Sequence, residues 1–285
     1  MTTRANTLGI LAMMATAFLW STAGLFIKII DWNPLTIAGC RSLIASLVIL
    51  LFLRRPKFHL SFPQVAAALA NAATMLLFVS ANKTTTSANA ILLQYTGPIF
   101  TAFIAAALIK ERVRIEHWIA FPLVAAGMTA MFMDKLGGGR TLGNVLAVLS
   151  AMTFSFYFVF MRMQKDGSPL ESILLSHWLV AAIGIVSSIF MPIPPISLQA
   201  VGAIAALGIF QVGIAAILFA AAIKRISAIS ANLIAMIEPV FNPLWVFFVL
   251  GEMPGPNAII GGLIIIAAVT AASAVGANTG SNLQS

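Results

Sequence analysis

Apolar residues run along this chain in blocks of about twenty, cut by short polar stretches, and few blocks carry a charge in their interior. The blocks fall at residues 7–30, 34–53, 62–82, 86–108, 114–133, 141–164, 169–190, 198–222, 228–250 and 256–276. Each is long enough to cross a hydrocarbon core of about 30 Å as a helix. None shows the apolar/polar alternation of a membrane barrel strand. The pattern predicts an all-α membrane protein of ten transmembrane helices, with no loop large enough for a soluble domain. The first block follows Arg4 as a signal peptide would, but its apolar run is too long and no A-x-A site ends it. It is expected to remain as the first span.

The blocks also repeat. Residues 78–111 align without a gap on 219–252, so that Phe78 meets Phe219, Lys83 meets Lys224, Pro98 meets Pro239 and Glu111 meets Glu252, an offset of 141. Lys, Pro and Glu are scarce here, which gives these matches their weight. The first and sixth blocks align as well: Ser21 meets Ser155, Phe26 meets Phe160 and Lys28 meets Arg162, an offset of 134. Residues 1–136 and 140–276 therefore read as two five-helix copies, followed by a tail at 277–285. Five is odd, so the second copy enters the membrane from the opposite side. Inverted repeats of this kind place a site near the midplane between the halves and give inward-open and outward-open states. Duplication kept only for packing is the alternative.

Composition agrees with the membrane reading. Of 285 residues 60% are hydrophobic and 8% charged, and mean hydropathy is +1.01, whereas soluble domains carry about 25% charged residues. The net charge of +8 would point to nucleic acid in a soluble protein, but here the bases sit in loops, and no nucleic-acid partner is expected. Arg54, Arg55, Lys57, Lys110, Arg112, Arg114, Arg162, Lys165, Lys224 and Arg225 fall on the side that holds Arg4, while Lys28, Lys83, Lys135 and Arg140 fall on the other. By the positive-inside rule both termini are cytoplasmic. The single cysteine, Cys40, excludes an intramolecular disulfide.

Candidate chemistry lies inside the spans. Pro98 cannot donate to the carbonyl of Gln94, Pro239 frees that of Ala235, and Pro243 breaks the ladder again; freed carbonyls are tolerated where protein or a wet cavity satisfies them. The fourth and ninth spans should therefore line a central cavity. Helical spacing puts Asn71, Thr74, Phe78 and Asn82 on one face of the third span, and Ser150, Phe154 and Tyr157 on one face of the sixth. Gln94 and Tyr95 precede Pro98, Glu238 and Asn242 lie one turn apart, and Trp20, Ser21 and Gln211 complete the polar and aromatic set. The first, third, fourth, sixth, eighth and ninth spans form an inner six on this reading, and the fifth and tenth carry almost no polar groups. For any Asn, Thr or Gln, interhelical hydrogen bonding worth about 0.6 kcal/mol is the competing role. Tyr95, Tyr157, Trp178 and Trp245 could equally serve as interface aromatics. Glu238, an ionisable group inside the bilayer, can hold a coupling proton, pair with a substrate ammonium or stay protonated as a structural donor. Arg41 and His177 occupy similar places in the second and seventh spans, which look peripheral. Glu111 and Glu252 end the fourth and ninth spans and are expected to pair with nearby bases, weakly because exposed, at about 0–1 kcal/mol each.

Enzyme chemistry finds no support. No H-E-x-x-H, Walker A or G-x-S-x-G pattern occurs, and no Cys, His and carboxylate cluster is spaced for a metal, so neither cofactor nor metal is expected.

The ten spans as two inverted copies, Leu19-Trp20-Ser21-Thr22 in the first span, Tyr95-Thr96-Gly97-Pro98 through Glu111, and Glu238-Pro239 through Gly251-Glu252 resemble the EamA branch of the drug/metabolite transporter superfamily. The resemblance covers essentially the whole chain. Within the branch it is most similar to bacterial YddG-type exporters of aromatic amino acids. It implies export by alternating access across a bacterial inner membrane, with substrate in a cavity lined by Trp20, Phe78, Tyr95, Phe154 and Tyr157. Thr74, Asn82, Gln94, Gln211, Glu238 and Asn242 are the polar partners expected beside that aromatic wall. Gly97 stands where some relatives carry a large aromatic residue, and would enlarge the cavity. The resemblance leaves open a broad-range metabolite or drug exporter, and a lipid-linked sugar flippase subunit.

Overall fold

The computed structural model describes residues 3–23, 26, 30–133, 140–191, 196–250 and 255–282, and the side chains of Thr3, Arg4, Pro34, Asn82, Lys83, Ser87, Ala88, Asn242, Pro243, Val246, Val249, Leu250 and residues 276–282 also lie outside what it describes. The elements are α1 Thr3–Trp20, α2 Pro34–Leu53, α3 Phe62–Thr84, α4 Ser87–Gln94, α5 Gly97–Ile109, α6 Ile115–Phe132, α7 Thr141–Met163, α8 Leu170–Phe190 and α9 Leu198–Ala206. A π-helical segment, Leu207–Ile214, joins α9 to α10, Ala215–Ile223; α11 Ala228–Ala235, α12 Glu238–Leu250 and α13 Pro256–Asn282 follow. Among the described residues eight helical stretches are long and apolar enough to cross a membrane. Two shorter apolar helices, Ala5–Trp20 and Ala228–Phe241, stand where the first and ninth apolar blocks lie.

Three blocks expected as single helices are interrupted. The first stops at Trp20, where the Ser21 hydroxyl donates to the Phe18 carbonyl at 2.6 Å and Thr22 to Leu19 at 2.7 Å. Both side chains take up carbonyls at the helix end. Lys28 lies outside the described residues. The fourth block divides at Tyr95-Thr96 and the ninth at Met236-Ile237, each just before the helical turn that contains Pro98 or Pro239. Shifted by 141 residues, α4 and α5 coincide end for end with α11 and α12. Even the caps correspond: Thr86 accepts from the Asn89 N–H and Ser227 from the Ser230 N–H. The repeated sequence thus builds a repeated helix, turn and helix.

Each main packing partnership joins an element before residue 136 to one after residue 140. α1 lies on α10, α3 on α7, α2 on α8, and α6 on α13, while α5 packs against both α7 and α11. Glycines set two of these approaches. A Cβ on Gly39 would meet the Gly184 Cα at 2.7 Å, so α2 and α8 touch backbone to backbone, and a Cβ on Gly127 would meet the Gly261 carbonyl at 2.8 Å. Outward faces are apolar: Leu142, Val145, Leu149 and Met152 are exposed at helical spacing along α7. Water would disfavour such a stripe and lipid does not.

The fifth block, expected to be almost without polar groups, buries two in its first turn. Glu116 pairs with the Arg114 Nε at 2.6 Å, and the His117 Nε2 lies 3.2 Å from the Ser230 hydroxyl of α11.

Candidate functional site

The helix interruptions are tied to one another. Tyr95, which closes α4, lies beside Glu238, which opens α12, close enough for the phenol and the carboxyl to interact. Farther along α12, the Trp245 Nε1–H donates to the Ser21 hydroxyl at 2.8 Å, just past the end of α1. Trp245 is therefore held between helices here, its ring edge-on to Phe18 at 5.0 Å. Trp178 is half-exposed against Phe58, as an interface aromatic would be. Pro98 and Pro239 are both buried.

The turn before α5 is packed rather than open. The Ser155 Oγ lies 2.8 Å from the carbonyl oxygens of Gly97 and Ala151, and the Asn232 Nδ2 donates to the Thr101 hydroxyl at 2.6 Å. Gly97 is buried, and a Cβ there would meet the Asn232 Nδ2 at 3.4 Å and the Ser155 Oγ at 3.5 Å. It permits close approach of α7 and α11 and does not widen a cavity, contrary to the sequence expectation. Gly97→Ala is expected to leave the melting temperature in detergent within about 1 °C of the unsubstituted protein, because the contacts are ordinary ones. Gly97→Phe should cost about 1–3 kcal/mol by displacing both hydrogen-bonded side chains. Equal melting of the two variants would show that the turn has room.

Aromatic side chains gather between α1, α7 and α10. Trp20 lies 6.1 Å from Phe154 and 5.8 Å from Phe219, Tyr157 stacks on Phe219 at 5.3 Å, and Phe158 meets Phe154 and Phe219 edge-on at 4.8 and 5.0 Å. Tyr157, Phe158 and Phe219 are buried, so Tyr157 is core in this conformation, while Trp20 and Phe154 keep open surface. Phe219 was not among the residues expected here, although it is the repeat partner of Phe78. Phe78 itself packs elsewhere, beside Ala81, Ala90 and Ala147.

The polar residues form separate chains. The Gln94 Nε2 donates to the Ser150 hydroxyl at 3.2 Å, Ser150 donates to the Thr74 carbonyl at 3.2 Å, and Thr74 donates to the Thr153 hydroxyl at 2.9 Å. Thr74 and Gln94 are thus joined across α3, α4 and α7 in the interhelical manner. Asn71 reaches the Ser176 hydroxyl on α8 at 2.8 Å. Gln211 stands apart from both sets, in the π segment, facing Arg41. The side chains of Asn82, Asn242 and Pro243, and the whole of Glu252, lie outside the described residues. Among the described residues no group of three His, Cys, Asp or Glu side chains is arranged to hold a metal.

At one end of the bundle a carboxylate binds three elements together. Glu111, just past α5, accepts from the Arg162 Nε of α7 at 3.2 Å and from the Ala228 N–H that begins α11 at 3.0 Å. Arg162 also donates to the Ile223 carbonyl at the end of α10, at 2.8 Å. The two side chains are only 17% and 14% exposed, so the link is buried more deeply than the weak surface pair expected from the sequence. Burial pushes the Glu111 carboxyl above its ordinary range, against the opposing pull of Arg162 and the helix N–H groups. The folded chain therefore holds that proton more tightly than the unfolded chain.

Comparison with known proteins now decides the class. The EamA-like transporter family matches over residues 7–133 and again over 141–274. The chain belongs to the EamA-like transporter family. This EamA-like transporter is 25% identical over 259 residues to an uncharacterized transporter of Archaeoglobus fulgidus, covering 90% of this chain and 93% of that one. It is 26% identical over 282 residues to the uncharacterized transporter YwfM of Bacillus subtilis, with the same coverage of 90% and 93%. The human solute carrier family 35 member G1 shares 26% over 206 residues, 65% of this chain and 55% of that one. A solved crystal structure superposes with a TM-score of 0.81 over 98% of this chain and 99% of its own at 22% identity, a likeness of fold alone. Family and apolar helices together make this a multi-pass membrane transporter.

Proposed function

We propose that this EamA-like transporter exports small amphipathic metabolites, amino acids with aromatic side chains favoured, by alternating access between two inverted five-helix halves. The halves are residues 1–136 and 140–276. The reading rests most on one observation, the proximity of Tyr95 and Glu238, which sets the helix break of one half beside its repeat-equivalent in the other. An ionisable group at such a junction is positioned to change partners when the halves rock. The packing pairs add support: exchanging each span for its repeat partner turns the α1·α10 pair into the α7·α3 pair and leaves α2·α8 and α6·α13 as themselves. The Glu111–Arg162 link then acts as a lock on one face. In the repeat register its places on the other face fall to Glu252 and Lys28. On this reading the protein sits in a bacterial inner membrane, and the positive-inside bias of the loop charges supports cytoplasmic termini.

Trp20 and Phe154 are the aromatic faces left for an indole or phenol ring. Trp20→Ala and Phe154→Ala are each expected to lower phenylalanine transport about tenfold while lowering threonine transport about twofold or less, since a lost stacking contact is worth about 0.5–1.5 kcal/mol. Equal losses for both substrates would assign these rings to packing. The test of the whole reading is counterflow of radiolabelled phenylalanine, threonine and a purine into liposomes holding the purified protein. Saturable phenylalanine uptake that exceeds the others supports the aromatic preference. Uptake of threonine or the purine in its place overturns that preference and moves the substrate to another metabolite class.

A further inference from the structure

Arg41 is placed where a guanidinium is hard to keep. It sits within α2, an apolar helix of 20 residues, and among the described residues its guanidinium hydrogen-bonds to the Gln211 Oε1, 3.4 Å from Nη1. Its Nε is shut off from solvent and has no hydrogen-bond partner, and no carboxylate pairs with it among the described residues. A guanidinium carries five N–H donors and is always charged. Left unpaired inside a membrane it costs several kcal/mol, and such residues face cavities or partners. As a whole residue Arg41 is only partly buried.

The surroundings are built to receive one. Gln211 belongs to the π-helical segment, and π turns concentrate at functional positions. Gly208 brings this segment onto α2: a Cβ there would meet the Ile44 Cβ at 2.5 Å and the carbonyl of Arg41 itself at 3.0 Å. With its Oε1 turned to Arg41, Gln211 makes no hydrogen bond through Nε2 among the described residues, which leaves that amide free to donate. His177 of α8 also lies near Arg41, its Nδ1 3.2 Å from the Ser42 hydroxyl. The backbone contact of Gly39 with Gly184 fixes α2 against α8 here.

We propose that Arg41 and Gln211 form an intramembrane site for the carboxylate of an organic anion. A carboxylate accepts two parallel N–H bonds from a guanidinium and would satisfy the Nε that the protein leaves unpaired. Binding at this site stands on the geometry above; its use to carry the substrate's carboxylate rests on the transport reading. The ligand class is a monocarboxylate metabolite, a zwitterionic amino acid included.

The test is thermal melting of the full-length protein in detergent, titrated with benzoate and with neutral benzamide at equal chloride concentration. Benzoate near saturation is expected to raise the midpoint by about 3 °C or more and benzamide by less than about 1 °C. Arg41→Gln should lose the benzoate-specific rise. Gln211→Glu should also lose it while melting no lower than the unsubstituted protein, because the new carboxylate pairs with Arg41 internally; this variant separates loss of the site from failure to fold. Equal responses to benzoate and benzamide in the unsubstituted protein, or a full benzoate response in Arg41→Gln, would overturn the site. A benzoate response without phenylalanine counterflow would retain the site and discard the amino-acid reading. Counterflow with a full benzoate response in Arg41→Gln would do the reverse.

Discussion

Export by the Glu238→Gln protein is expected to proceed at one rate with or without a pH gradient, whereas the unsubstituted protein is expected to accumulate substrate in proportion to that gradient. One proton carried down a gradient of one pH unit supplies about 1.4 kcal/mol, a factor of about ten in the accumulation ratio. Glutamine keeps the size of the side chain beside Tyr95, but it cannot take up and release the proton. Exchange of substrate down its own gradient should survive, because neither the Glu111–Arg162 link nor the aromatic cluster is touched. Tyr95→Phe is the informative companion: it removes the neighbouring hydroxyl and leaves the carboxylate, so gradient dependence should persist. The measurement is uptake into proteoliposomes at imposed pH differences. If Glu238→Gln accumulates substrate as the unsubstituted protein does, Glu238 has no part in coupling.

Gly184→Val is expected to have the largest effect on stability. The Cβ it adds would lie 2.5 Å from the Cα of Gly39 and 2.8 Å from the carbonyl oxygen of Leu35, and both belong to backbone that cannot turn aside. Moving α2 off α8 would forfeit the close packing that holds membrane helices together, at a cost on the order of 3 kcal/mol. It would also carry Arg41 and Ser42 away from His177. Gly202→Ala is the control, since nothing lies within 4 Å of the position, and alanine in a helix is about 1 kcal/mol better than glycine. Thermal melting of the two variants should move in opposite directions. A Gly184→Val protein that melts with the unsubstituted one would show that α2 and α8 separate freely.

Much of this architecture could be read before any coordinates. Spans follow from apolar run length, and the 141-residue offset foretold that α4 and α5 would reappear as α11 and α12, because caps and prolines repeat with it. The interruption after Trp20 was hidden, since Ser21 and Thr22 end that helix through local side-chain bonds without a proline to mark the place. The π segment was hidden too: Gly208 and Gly213 flank it, but glycine in a membrane helix more often marks close packing. Glu238 and Tyr95 were each singled out alone, and their pairing depends on how two broken helices meet, which no local pattern encodes. That Tyr157 is buried here was not legible, because residue type alone does not reveal which face of a membrane helix packs inward. The depth of the Glu111–Arg162 link arises only when the ends of three helices converge. Phe219 could have been found, since the repeat places it opposite Phe78.

The pairing of helices across the two halves reaches back to the chain's synthesis. When the first half has entered the bilayer, α1, α2, α3 and α6 stand against lipid where α10, α8, α7 and α13 will later dock. Thr74, Gln94 and Asn71 then have no Ser150, Thr153 or Ser176 to bond. The contacts that complete each of these early helices come from segments made later in the chain. A chain cut short after residue 136 would thus display its unsatisfied polar groups to the membrane's proteases, and the completed transporter would conceal them.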